Sequence, residues 1–183
     1  MEEKEQVQSV SAVRKWMSCI IGALLYVLVY FFRFSPAVVA EPMAIDLHVS
    51  EAQLGFFTTL YFWPYGLMQP FVGALADIVN PGLLVSGAGI VASLGGIIGA
   101  VAKSLPVASI GRFIVGFGCS FVFVPMLKVL RMLFTSSQYS YVPGIFLIFG
   151  GVGGVVAQAP LEAMTKALGW RKSMLTLSGI GIF

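Results

Sequence analysis

Residues that carry out chemistry are scarce in this chain. Its 183 residues include eight Asp and Glu, one His and two Cys. No H-E-x-x-H, G-x-S-x-G or Walker-type glycine loop occurs, so the chain does not read as an enzyme or as a nucleotide-driven pump. The lone histidine, His48, lies beside Asp46 between apolar runs and reads as a solvated loop residue. It cannot build a metal site by itself, and no cofactor is expected. Cys19 and Cys119 both fall inside apolar runs, where each reads as a small packing residue rather than part of a disulfide framework. The net charge of +3 comes from scattered Lys and Arg without a basic cluster, which excludes nucleic acid as a partner. Apolar–polar alternation is missing too: LLVSGAGIVASLGGIIGAVA does not alternate, which excludes an outer-membrane barrel. The opening MEEKEQVQSVSAVRK is too charged and too acidic for a signal peptide and has no small-residue cleavage site, so the first apolar run is expected to stay in the mature protein.

What is abundant is apolar surface. The chain is 58% hydrophobic and 10% charged, with a mean hydropathy of +0.93, and its uncharged runs are long enough to cross about 30 Å of hydrocarbon as helices. An all-α membrane bundle is the expected fold class. Residues 1–15 read as a cytoplasmic tail. Residues 16–183 read as the bundle, with spans at about 16–40, 55–76, 83–102, 108–130 and 141–161 and an incomplete sixth at 173–183. The links between spans are short, so successive helices are expected to be antiparallel neighbours. Ser50 to Gln53 has capping-box spacing ahead of the second span, and Asn80-Pro81-Gly82 marks a tight turn after it. Arg14 and Lys15 abut the first span and favour a cytoplasmic N-terminus in the cell membrane. The sixth segment covers about half of the hydrocarbon thickness at 1.5 Å per residue. The chain therefore reads as one half of a longer bundle, its C-terminal half absent.

Arg33 is the costliest residue in this picture, because a guanidinium inside a lipid-length apolar run needs compensation. Tyr30 and Tyr26 precede it by three and seven residues and share its helical face. Either Arg33 faces a polar cavity with these tyrosines, or it snorkels to the outer boundary. A planar fork of five donors suits a phosphate or carboxylate, and tyrosine hydroxyls would complete the wall. Tyr61, Trp63, Tyr65 and Gln69 on the second span, bent by Pro64, and Gln158 on the fifth are further candidates for lining that cavity. Lys128 reads as an anchor at the inner end of the fourth span.

Several motifs then occur in a characteristic order. Gly73-Ala74-Leu75-Ala76-Asp77 closes the second span with G-x-L-x-D spacing. Arg112 to Gly118 carries R-x-x-x-G-x-G on the fourth. Gly150-Gly151-Val152-Gly153-Gly154 and Pro160 lie on the fifth, and Gly169-Trp170-Arg171 opens the sixth. From about residue 16 to 183 the chain resembles the N-terminal half of the major facilitator superfamily. The resemblance implies a six-helix half-bundle whose cavity is shared with a second half and serves alternating access. It implies that Gly73 and Asp77 belong to a cytoplasmic gate, with glycine permitting close helix approach and Asp77 capping a neighbouring helix. Ile78 and Gly82 stand where basic residues usually follow the Asp. Asn80-Pro81 is similar to the loop of the organophosphate:phosphate antiporter branch, whose members carry a substrate-binding arginine preceded by tyrosines at the offsets seen here. Arg112 matches a position linked to ion coupling in related proton-coupled members; the alternative is a snorkelling arginine at a helix end. The implied activity is secondary transport of a small organic anion, binding at Arg33, Tyr30, Tyr26, Tyr65, Gln69 and Gln158, with a proton or an exchanged anion as coupling ion. A transport-incompetent fragment or a membrane scaffold is the competing expectation.

Overall fold

The structure is a computed structural model that describes residues 11–181, and these are mostly helical, without a strand among them. Residues 1–10 of the expected tail, and Ile182 and Phe183 at the end of the sixth span, lie outside the described residues. Proline shapes nearly every span. A proline has no N–H for the carbonyl four residues earlier, so a helix tends to kink or part in the turn before it. The first span parts at Ser35, ahead of Pro36, into Ala12–Phe34 and Pro36–Leu47. The second consists of Glu51–Thr59 and Phe62–Ile78, parting ahead of Pro64. The fourth consists of Leu105–Ser120 and Phe123–Leu133, parting ahead of Pro125. The fifth consists of Val142–Val156 and Gln158–Leu168, parting ahead of Pro160. The third, which has no proline after its first turn, runs unbroken over Pro81–Val101. Pro42 and Pro70 lie in helices that continue past them.

The polar links are shorter than expected. Helix continues through Glu41 and Asp46 to Leu47 and resumes at Glu51, so the link expected over 41–54 shrinks to three residues, turned by His48 in the left-handed region at φ 52°. Polarity there marks the end of the hydrocarbon rather than the end of the helix. The capping box holds: the Gln53 N–H donates to Ser50 Oγ at 3.4 Å and the Ser50 N–H donates to Gln53 Oε1 at 2.9 Å. The Asn80 turn holds as well, its side-chain oxygen accepting from the Gly82 and Leu83 N–H groups. The link expected over 162–172 is largely helix up to Leu168, and the sixth span starts at Trp170 directly after Gly169.

Helices 81–101 and 105–120 form the tightest pair. A Cβ on Gly95 would stand 2.7 Å from the Val115 nitrogen and 2.8 Å from the Gly111 carbonyl, so two glycines set the crossing distance. The core around this pair includes Phe32, Tyr61, Val72, Val122, Leu130 and Phe146, all buried. Outward faces carry Leu24, Trp63, Phe71, Leu94, Ile148 and Val152, all exposed. Such an apolar exterior suits lipid and would be an aggregation hazard in water. Among the described residues, four helical stretches are long and apolar enough to cross a bilayer: Lys15–Phe34, Pro81–Val101, Leu105–Leu133 and Ser136–Leu168. The second span's longer piece, Phe62–Ile78, has 17 residues, and the sixth, Trp170–Ile180, has 11.

Candidate functional site

Arg33 emerges one residue before the end of helix 12–34 and sits in a cage of aromatic rings. Its guanidinium carbon lies 4.8 Å from the centre of Tyr65, 5.6 Å from Tyr61, and 5.7 Å from both Tyr30 and Phe62. Ring faces are electron-rich, and each such contact is worth about 0.5–2 kcal/mol depending on how far water is excluded. No carboxylate pairs with Arg33 among the described residues, and its buried Nε has no hydrogen-bond partner. The cation is thus held by π faces, with its Nε unpaired among the described residues. An arrangement of that kind can accept an anionic oxygen.

Three of the cage rings come from the second span, and its break is the reason. Tyr61 lies in the parting between the two helices, where Pro64 leaves the backbone free to turn inward, and it is fully buried at 0% exposure. Its ring stacks on Tyr65 at 5.7 Å and meets Phe62 edge-on at 5.1 Å. Gly116 makes room for it, since a Cβ there would collide with the Tyr61 carbonyl oxygen.

Not every expected lining residue reaches the cage. Tyr26 shares the helical face of Arg33 but is only 6% exposed. It stacks against Phe146 at 4.7 Å and Phe123 at 5.2 Å, the three rings forming one cluster, and it touches Tyr30 edge-on at 5.1 Å. It is a core residue that supports Tyr30, because seven residues carry the face two turns deeper into the bundle. Trp63 turns outward, 64% exposed, as the residue between inward-turned Tyr61 and Tyr65. Gln69 and Gln158 are half-buried. Gly150 and Gly154 of the fifth span seat the Tyr26 and Tyr30 rings of the first.

Arg112 turns into the bundle rather than snorkelling, and no acid pairs with it among the described residues. It is 4% exposed. Nη1 donates to the Phe32 carbonyl, and Nη2 donates to the Arg33 carbonyl at 3.0 Å. Its guanidinium lies 4.8 Å from the centre of the Tyr61 ring and 5.9 Å from Phe57. Arg112 is among the residues lining a small cavity of about 30 Å³, and its buried Nε has no hydrogen-bond partner among the described residues. Tyr61 thus stands against both arginines.

At the other end of the fourth span, Lys128 pairs with Asp77 and also donates to the Ala76 carbonyl at 2.9 Å. Lys128 therefore does more than anchor a helix end: it supplies the cation that Ile78 and Gly82 do not. Its distance of 51 residues from Asp77 hid this pairing from local motif reading. At Gly73 a Cβ would meet nothing within 4 Å among the described residues.

The opposite end of the bundle has its own knot. Arg171 pairs with Asp46, Nη2 to Oδ2 at 2.8 Å. Trp170 Nε1 donates to the same oxygen at 3.2 Å. Arg171 Nη1 donates to the Ala100 carbonyl at 2.9 Å and to the Ala102 carbonyl. Carbonyls at a helix C-terminus lack donors, and an arginine satisfies them.

Comparison with known proteins follows the same lines. A probable sulfoacetate transporter, SauU, of Cupriavidus necator is 21% identical over 162 residues, covering 88% of this chain and 38% of the relative. An uncharacterized transporter, YybO, of Bacillus subtilis is 24% identical over 180 residues, covering 98% of this chain and 41% of the relative. The chain thus spans about two-fifths of the length of these relatives. Among solved structures, a bacterial homolog of the human lysosomal transporter Spinster superposes with a TM-score of 0.84 at 21% identity, over 94% of this chain and 42% of the other. That likeness shows the fold. The family profile of the Major Facilitator Superfamily matches residues 22–183. With the helical bundle and the motif order in agreement with it, the chain belongs to the Major Facilitator Superfamily.

Proposed function

We propose that the complete protein carries a small organic anion across the cell membrane by alternating access, with Arg33 as the anion ligand. The observation that carries this reading is the Arg33 cage: a membrane-embedded guanidinium held by four rings, without a paired carboxylate among the described residues. Residues 16–183 act as the N-terminal half, and a C-terminal half supplies the facing wall. Tyr30 and Tyr65 line the anion site with Arg33, Gln69 and Gln158 contribute polar groups to the wall, and Tyr26 supports Tyr30 from behind. The substrate class comprises carboxylates, sulfonates and phosphate esters, exchanged for another anion or moved with a proton. Gly73 and the Asp77–Lys128 pair form the gate at the cytoplasmic end, where the N-terminus also lies. The open face at Gly73 is the place where a helix of the other half approaches.

The test is uptake of labelled organic anions, sulfoacetate among them, into proteoliposomes holding the complete transporter. Arg33→Ala removes charge-assisted hydrogen bonds worth about 1.5–3 kcal/mol each, so losing two raises KM at least about 100-fold while insertion is unchanged. Normal anion uptake by Arg33→Gln, or uptake of neutral solutes alone, overturns the assignment.

A further inference from the structure

We infer that Arg112 is a positioning residue for the anion site, fixing the bend in the first span from which Arg33 projects by taking up the two carbonyls at that bend. The inference rests on Arg33 being the anion ligand and extends it to the joint beneath. Pro36 has no N–H, so the Phe32 carbonyl loses its helical donor, and within a membrane no bulk water replaces it. Ser35 Oγ supplies one bond to that carbonyl at 3.0 Å. Beyond the bend the Val38 and Val39 N–H groups both bond to the Ser35 carbonyl, at 3.0 and 2.9 Å. The Phe32 and Arg33 carbonyls are then bridged by one guanidinium, Arg112. A planar fork reaches two adjacent acceptors at once, and an ammonium does not hold both in fixed geometry.

The rest of the surroundings agree. Arg112 faces carbonyls, the Tyr61 ring and Phe57, with no acid among its described contacts, so its interactions are those of a brace. Gly116, one turn along the same face of the fourth span, receives the Tyr61 backbone at the break of the second. One helical face therefore seats the breaks of two spans. Those breaks present Arg33 and Tyr61, the two sides of the cage, and displacing Arg112 moves both.

The experiment uses the complete transporter, with Cys19→Ser and Cys119→Ala as background. The thiol introduced by Arg33→Cys is reacted with a negatively charged methanethiosulfonate in proteoliposomes, forming a mixed disulfide with release of methanesulfinate, a readout that needs no substrate. Adding Arg112→Gln is expected to change the rate of this modification at least fivefold, and Arg112→Lys by an intermediate factor. Pro36→Ala restores an N–H to the Phe32 carbonyl but straightens the bend. Combined with Arg112→Gln it should return thermal stability towards the parent and leave the rate altered. With Arg33 in place, Arg112→Gln should raise the KM for a labelled organic anion more than it lowers kcat. Rates within twofold of the parent in both Arg112 variants overturn the inference. So does a double variant that recovers the rate along with stability, or one that fails to fold at all. If Arg33→Ala transports normally while the thiol still responds to Arg112, the joint stands and the anion assignment falls.

Discussion

Gly116→Ala offers the most direct check on the packing around the cage. In an ordinary helix interior, replacing Gly by Ala stabilises by roughly 0.5–1 kcal/mol, because glycine gives up more backbone freedom on folding. At Gly116 the added methyl collides with the Tyr61 carbonyl oxygen and would also stand 2.9 Å from the carbonyl carbon and 3.0 Å from Pro64 Cγ. Backbone cannot swing aside as a flexible side chain can. Relief requires the second span to move as a unit, and overpacking of this kind costs about 1–3 kcal/mol. The clash exceeds the propensity gain over nearly all of that range, so a net loss of up to about 2.5 kcal/mol is expected. Gly73→Ala supplies the control, since its methyl meets nothing within 4 Å in this half. It should be neutral or stabilising by up to about 1 kcal/mol in this half, while impairing transport if another helix closes over that face. The assay is thermal unfolding of the complete transporter in detergent, followed by tryptophan fluorescence, beside anion uptake. A stability for Gly116→Ala equal to or above the parent would refute the close approach.

Two further outcomes follow from the charged ends of the bundle. Lys128 and Asp77 have side chains 36% and 67% exposed, so breaking the pair by Lys128→Met should cost no more than about 1 kcal/mol in stability. Its effect should appear in transport rate, with partial recovery in the charge-swapped Asp77→Lys/Lys128→Asp variant. Unchanged rates in Lys128→Met would remove the pair from the gate. At the other end, Arg171→Met leaves the Ala100 and Ala102 carbonyls without their donor, a loss of about 1–3 kcal/mol. Asp46→Asn should cost less, because those two bonds survive, and equal Tm shifts for the two variants would contradict this ranking.

The sequence by itself determined the class of the protein. Lipid-length apolar runs with few charges leave no other way to satisfy the backbone than helices, and the Asn80 turn and Ser50 cap mark real ends because they act over two or three residues. Arg33 was legible for the same reason: a single charge in such a run is expensive wherever its neighbours lie. The helix breaks were partly legible, since each follows from a proline a few residues downstream. Tertiary structure decided what those features meet. Tyr26 follows the face of Arg33 yet ends in the core, because the fifth span offers glycines where its ring must go. Arg112 meets carbonyls 79 and 80 residues away, and Lys128 meets Asp77 51 residues away. No local pattern encodes such pairings, because helix packing sets which broken turn faces which cation. The sequence placed a costly arginine in the membrane, and the packing of the first, second and fourth spans around two proline breaks gave it a cage.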